Sequence, residues 1–247
     1  MKILGIIPAR YASTRFPGKP LIDLAGKTMI QRVYEQCLQS SALTEVIIAT
    51  DDERIFSHAQ SVGANVIMTS ADHQSGTDRC AEVIQLLEQT FDVAVNIQGD
   101  EPLINPNQIN LICNCFKDSA TEIATLVKVI DNEDVLFNTN TPKVILDREN
   151  FALYFSRETI PHLRNIPKNE WLDRHQYYQH IGIYAYRTDV LSRITQLEIS
   201  TLEKAESLEQ LRWLENGFKI KTATTEFESI AIDSPEDVDK VLLYLTQ

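Results

Sequence analysis

Short apolar runs alternate with amphipathic runs through the first hundred residues, and this alternation restricts the fold more than any other feature. Residues 2–8 form an Ile-rich run stopped by Pro8, as in a strand buried on both faces of a parallel sheet. After a loop, Ile30, Val33, Tyr34, Cys37 and Leu38 fall at i, i+3, i+4, i+7 and i+8, which puts one apolar stripe on a helix. The same alternation predicts strands over 45–49, 65–68 and 92–97 and helices over 52–62 and 77–88. Strands joined by helices of this length need right-handed crossovers. The expected fold class is therefore α/β, Rossmann-like, with a mostly parallel central sheet and helices on both faces.

Beyond residue 120 the pattern changes. Four strand-like runs (121–129, 142–146, 151–156 and 179–186) follow one clear helix, which predicts mixed or antiparallel pairing. Residues 160–175 are polar, carry Pro161 and Pro167 and show no clean period, so they read as an excursion from the sheet. The tail returns to α/β, with one helix over 202–215 stopped by Gly217, a strand over 219–224 and a last helix after Ser234-Pro235. The expectation is one domain over 1–247: an α/β part at 1–130, an inserted mixed-sheet lobe at about 140–190, and a return to the main sheet at 190–247.

Composition narrows the partners. With 23 Lys and Arg against 35 Asp and Glu, the net charge is −12, which disfavours a nucleic-acid partner. No run approaches the roughly 18 apolar residues of a membrane helix, so no membrane partner and a cytoplasmic location are expected. The four Cys include no C-x-x-C pair and read as reduced, buried thiols.

Three segments could carry chemistry. Residues 8–20 bring Arg10, Arg15 and Lys19 together, with no carboxylate between Met1 and Asp23, directly after the first strand. In an open α/β sheet such a loop faces the binding crevice, where Arg and Lys can hold polyphosphate oxygens. It is neither a Walker loop, since Pro20 follows Gly18-Lys19, nor a dinucleotide fingerprint, since G-x-G-x-x-G is absent. The second segment, Gln98-Gly-Asp100, follows another buried strand; there Asp100 reads equally as a turn residue or as a Mg²⁺ ligand beside bound phosphates. In the third, Ser234, Pro235 and Asp237 explain a helix start, while Asp233 stands outside it at an expected strand end as a possible second carboxylate ligand.

Other residues are ambiguous taken singly. Period-2 alternation puts His180, Gly182, Tyr184 and Tyr186 on one strand face, where a satisfied sheet histidine is the ordinary reading. Glu209 and Gln210 lie off the Leu208, Leu211 and Leu214 stripe, and solvation explains them equally well. Asp237-Val-Asp239 spells D-x-D but falls inside a helix.

Six motifs in order span nearly the whole chain: residues 8–21 with Arg10, Arg15 and Lys19, then Ser75-Gly-Thr-Asp-Arg79, Gln98-Gly-Asp100-Glu-Pro102, His180-Ile-Gly-Ile-Tyr184, Glu206-Ser-Leu-Glu-Gln-Leu-Arg212 and Asp233-Ser-Pro-Glu-Asp237. Together they resemble the 3-deoxy-manno-octulosonate cytidylyltransferases, the CMP-KDO synthetases. The resemblance implies the nucleotide-diphosphosugar transferase fold, a homodimer formed through the inserted dimerisation lobe, and transfer of CMP from CTP to KDO for lipopolysaccharide biosynthesis. It also implies that Arg10, Arg15 and Lys19 bind the triphosphate, with Arg79 near the cytidine. Asp100 and Asp233 would hold Mg²⁺, and Gln98, Arg157, His180, Tyr184, Glu209 and Gln210 the sugar acid. Arg157 would pair with the sugar carboxylate. Another acidic sugar, such as 8-amino-KDO or a sialic-type acid, and a non-catalytic nucleotide-sugar binding module stay open as alternatives.

Overall fold

The structure is a computed structural model and describes residues 1–12, 16–228 and 230–245. It opens with β1 (Ile3–Ala9), a small hairpin of β2 (Asp23–Leu24) and β3 (Lys27–Thr28), and then α1 (Met29–Leu38). Next come β4 (Glu45–Thr50), α2 (Glu53–Ser61), β5 (Val66–Met68), α3 (Gly76–Leu86), β6 (Val93–Asn96) and α4 (Pro106–Asn114). The helices start where cap chemistry places them: Thr28 accepts from the Gln31 N–H, Asp52 from Arg54, and Ser75 with Asp78 forms a reciprocal capping box.

The second half holds β7 (Ile123–Val129), α5 (Glu133–Phe137), β8 (Lys143–Leu146), β9 (Ala152–Ser156), α6 (Trp171–Arg174) and β10 (Tyr178–Arg187). It ends with α7 (Thr188–Ile194), α8 (Thr201–Glu206), α9 (Gln210–Glu215), β11 (Ile220–Thr224) and α10 (Glu236–Leu245). The main sheet runs β11-β7-β10-β6-β1-β4-β5, and β8 joins it by pairing with β10 and β9. Pairing is parallel between β6, β1, β4 and β5 and between β11 and β7, whereas β10 runs antiparallel to both β6 and β7.

Core packing follows from the doubly buried strands. Ile3, Ile7 and Ala9 of β1 enter one apolar cluster with α1, α2 and α4, while Leu4 and Ile6 enter the other with α3, α7 and α9. Residues 160–177 pack with α5 and the end of β7 into a separate small core, in which Ile130, Leu136, Trp171 and Tyr177 are buried together. The Trp171 indole there donates to the Ile166 carbonyl at 3.0 Å and the Tyr177 hydroxyl to Pro161 at 2.9 Å. The four cysteines are free, and three are buried.

Two expectations change. The single helix expected over 202–215 is two, because Ser207 takes a left-handed conformation (φ 52°) between α8 and α9. Residues 230–233 form no strand; instead the Ile232 N–H donates to the Asp100 carbonyl at 2.9 Å, tying this irregular segment to the end of β6.

Candidate active site

A cleft of about 560 Å³ opens at the carboxyl ends of β1 and β6, where an open α/β sheet leaves its crevice. Arg10 follows β1 directly, and its guanidinium donates to the His73 carbonyl in the loop before α3. Lys19 starts a short 3-10 turn (Lys19–Leu21) entered through Gly18 at φ 74°; a Cβ there would lie 3.1 Å from the Tyr11 ring, so both conformation and space call for glycine. Gly99 lets the chain leaving β6 pass against β1, since a Cβ on it would stand 2.7 Å from the Pro8 carbonyl oxygen. Lys19 Nζ reaches Asp100 Oδ2 at 2.8 Å, and Gly76 brings the start of α3 to the same wall. Arg10, Lys19, Gln98 and Asp100 thus share one cleft, while Arg15 lies outside the described residues.

Asp233 is exposed, and the Ile232 to Asp100 bond brings its backbone to the cleft mouth. The Asp237 carboxylate accepts the N–H groups of Asp233 and Ser234 at 3.2 and 3.1 Å, which fixes this segment at the start of α10. Among the described residues no cluster of three or more His, Cys, Asp and Glu forms.

Beside the cleft, on the face of β10 that packs on α9, lies a buried polar cluster. Tyr184 and Tyr186 stack at 6.1 Å, and Trp213 meets both edge-on at 5.1 and 5.5 Å. Gln210 Nε2 is buried with no hydrogen-bond partner among the described residues, and the buried Tyr184 and Tyr186 hydroxyls have the Thr125 and Thr77 hydroxyls near them but outside good hydrogen-bond geometry. Such groups are costly without a ligand or water. Burial raises the Glu209 pKa above the ordinary carboxyl value, and the Thr77 hydroxyl donates to its Oε2 at 2.8 Å. Of the two readings open for Glu209 and Gln210, simple solvation does not hold: the break at Ser207 turns α9 so that Gln210 is buried and Glu209 faces α3.

His180 sits against the Phe155 ring, and burial pushes its pKa down to about 4. The Thr125 hydroxyl approaches His180 Nε2 at 3.0 Å and the Ile183 carbonyl at 2.8 Å. Donation of its one proton to the nearer carbonyl is matched by the neutral His180 tautomer that donates from Nε2 and keeps Nδ1 as an acceptor. Thr125 also spans the slip in register between Ile181 and Tyr184. Gln98 connects the two regions: it lines the cleft, and its Nε2 donates to the Gly182 carbonyl at 2.8 Å.

Arg157 lies at the end of β9, and its Nε donates to the Glu206 carbonyl at 2.6 Å. Its other nitrogens reach the carbonyls of Ser207 at 3.2 Å and Thr139 at 3.4 Å. Arg79 does not join either region. It is fully buried, bound to Asp51 at 2.9 Å and to the Thr69 hydroxyl, so its charge is spent joining the ends of β4 and β5. Sequence reasoning missed Thr77, Thr125 and the buried Tyr186 hydroxyl; only the alternation along β10 pointed to the last.

A sequence model of a cytidylyltransferase family matches residues 4–221. A 3-deoxy-manno-octulosonate cytidylyltransferase of Parabacteroides distasonis is 58% identical over 249 residues, covering 99% of this chain and 98% of its own. The enzyme of the same name from Bacteroides thetaiotaomicron is 58% identical over 241 residues, 96% of each. The chain belongs to the 3-deoxy-manno-octulosonate cytidylyltransferase family. A solved CMP:2-keto-3-deoxy-manno-octonic acid synthetase complexed with CTP superposes with a TM-score of 0.92 at 42% identity, covering 100% of this chain and 99% of its own. In this member of the family the charged groups line the cleft, the neutral polar groups are buried on β10 and α9, and Gln98 bonds from the cleft to the β10 main chain.

Proposed function

We propose that the chain transfers CMP from CTP to the anomeric hydroxyl of 3-deoxy-D-manno-octulosonate (KDO), releasing pyrophosphate and activating KDO for lipopolysaccharide synthesis. The observation that carries this reading is a cationic cleft beside a buried polar cluster on β10 and α9, with Gln98 lining the cleft and hydrogen-bonded to the Gly182 carbonyl of β10. The names of its relatives and the CTP complex of its structural neighbour support the same substrates.

Arg10, Arg15 and Lys19 hold the triphosphate oxygens. As the sugar oxygen bonds to the α-phosphorus, the bond from that phosphorus to the bridging oxygen breaks, the hydroxyl proton passes to solvent water, and the cations receive the charge leaving on pyrophosphate. Tyr184, Gln210, Glu209 and the free Nδ1 of His180 bind sugar hydroxyls, and Arg157 takes the sugar carboxylate. Asp100 and Asp233 would hold Mg²⁺, which supplies charge screening at the phosphates and lowers the pKa of a hydroxyl it meets. Arg79, closed off by Asp51, supports the nearby strand ends from behind. A homodimer formed through residues 140–190 of a single domain, and a cytoplasmic location, belong to the same proposal.

Pyrophosphate release from CTP with Mg²⁺ tests the reading, with KDO, 8-amino-KDO, sialic acid or no acceptor supplied. Release that needs both CTP and KDO is expected. Release only with another sugar acid would keep the chemistry and change the substrate; no release with any acceptor, despite CTP binding, would overturn it.

A further inference from the structure

Lys143 opens β8 between β9 and β10 and has no exposed surface. An ordinary core position of this kind takes an apolar residue, since an ammonium pays a large desolvation penalty. Here all three of its protons are used on main-chain carbonyls: Asn138 at 2.9 Å, Thr141 at 2.7 Å and Arg157 at 2.6 Å. Two of these lie in the 138–141 turn and the third is the carbonyl of Arg157 itself. The same turn presents the Thr139 carbonyl to the Arg157 guanidinium, whose other anchors are the carbonyls at the break between α8 and α9. Glu206 completes the knot, accepting from the Ser156 hydroxyl at 2.7 Å and the Arg157 N–H at 2.9 Å.

We propose that Lys143 is a positioning residue for the sugar acid: it clamps the 138–141 turn to the Arg157 main chain and thereby fixes where the Arg157 guanidinium stands. Two of the five guanidinium N–H groups then have no partner among the described residues and point from a fixed frame. A bidentate contact to a carboxylate needs such a frame, because the planar fork tolerates little rotation. The clamp also bears on Glu209 and Gln210, since Glu206 and Ser207 belong to it and only Leu208 separates them from that pair. The inference rests on the reading of Arg157 as the carboxylate partner.

Lys143→Met, Lys143→Gln, Arg157→Ala and the double variant Lys143→Met/Arg157→Ala test it through KM for KDO, kcat, CTP affinity by calorimetry and thermal melting. Lys143→Met is expected to raise the KDO KM about tenfold, with kcat within about threefold and CTP affinity unchanged. Lys143→Gln, which keeps two donors, should fall between; it stands in for Lys143→Met should that variant not fold. In the Arg157→Ala background Lys143→Met should add less than about twofold, because its route of action is already gone. Effects that multiply in the double variant, CTP affinity lost in step with KDO, or loss of folding in both single Lys143 variants would overturn the assignment. An unchanged KDO KM in Arg157→Ala would instead remove the reading of Arg157, whatever Lys143 does.

Discussion

Lys19 and Asp100 meet at 2.8 Å, and the two halves of that pair should fail differently when removed. In the proposed reading Lys19 offers charge to phosphate oxygens, so Lys19→Ala should raise the KM for CTP by about tenfold or more, with a smaller change in kcat. The proposed role of Asp100 lies where charge develops, so Asp100→Asn should cut kcat by about a hundredfold or more and leave the CTP dissociation constant within about threefold. Steady-state kinetics with calorimetry separates the two, and an unchanged CTP titration for Lys19→Ala or full turnover for Asp100→Asn would contradict the assignment. His180 gives a third test, through stability. Burial holds it at about 4 against an ordinary 6.5, so between those values the unfolded chain takes up a proton that the folded chain refuses. Its contribution is therefore complete above pH 6.5 and lost as pH falls toward 4. Urea denaturation of the wild type should weaken more across that window than that of His180→Gln, and equal slopes would mean that folded His180 is charged.

Elements set these residues in place by close approaches that single substitutions can probe. At Gly99 the nearest neighbour of an added Cβ is a backbone oxygen, which has no rotamer by which to move aside. Gly99→Ala should therefore cost about 1–3 kcal/mol in urea denaturation and raise the CTP KM, because it pushes the Asp100 turn away from β1. An unchanged midpoint would show that the tail of β6 relaxes freely. How legible such elements are in the sequence depends on how local their causes are. β1, β4, β6 and the helices between them follow from runs of adjacent residues and from caps such as Ser75, and the cleft follows from the strand ends they create. The break at Ser207 has distant causes: Arg157 holds the Glu206 and Ser207 carbonyls from 50 residues away, while Leu208, Leu211 and Leu214 continue a helical stripe across the gap. The buried sides of Glu209 and Gln210 were hidden for the same reason. Arg79 shows the converse, since a motif placed it near the cleft and Asp51, a partner 28 residues earlier, ties it up elsewhere.

At the scale of the whole molecule, two opposed fields act on an incoming nucleotide. The chain carries a net charge of −12, yet Arg10 and Lys19 line one cleft. Their ranges differ with salt. At about 0.01 M ionic strength the Debye length is roughly 30 Å, so the whole anionic surface is felt by an approaching polyphosphate. At about 0.15 M it shrinks to roughly 8 Å, which screens the distant carboxylates and leaves the short-range pairing inside the cleft. The association rate for CTP should therefore rise as salt increases across this range, opposite to the trend for a protein whose overall charge attracts its ligand. Stopped-flow binding at constant Mg²⁺ measures it directly. A rate that falls steadily with salt would mean that the cleft potential reaches beyond the surface and already outweighs the net charge at a distance. In that case neutralising Arg10 should flatten the salt dependence. If the rate rises instead, removing surface carboxylates far from the cleft should speed association at low salt and leave dissociation unchanged.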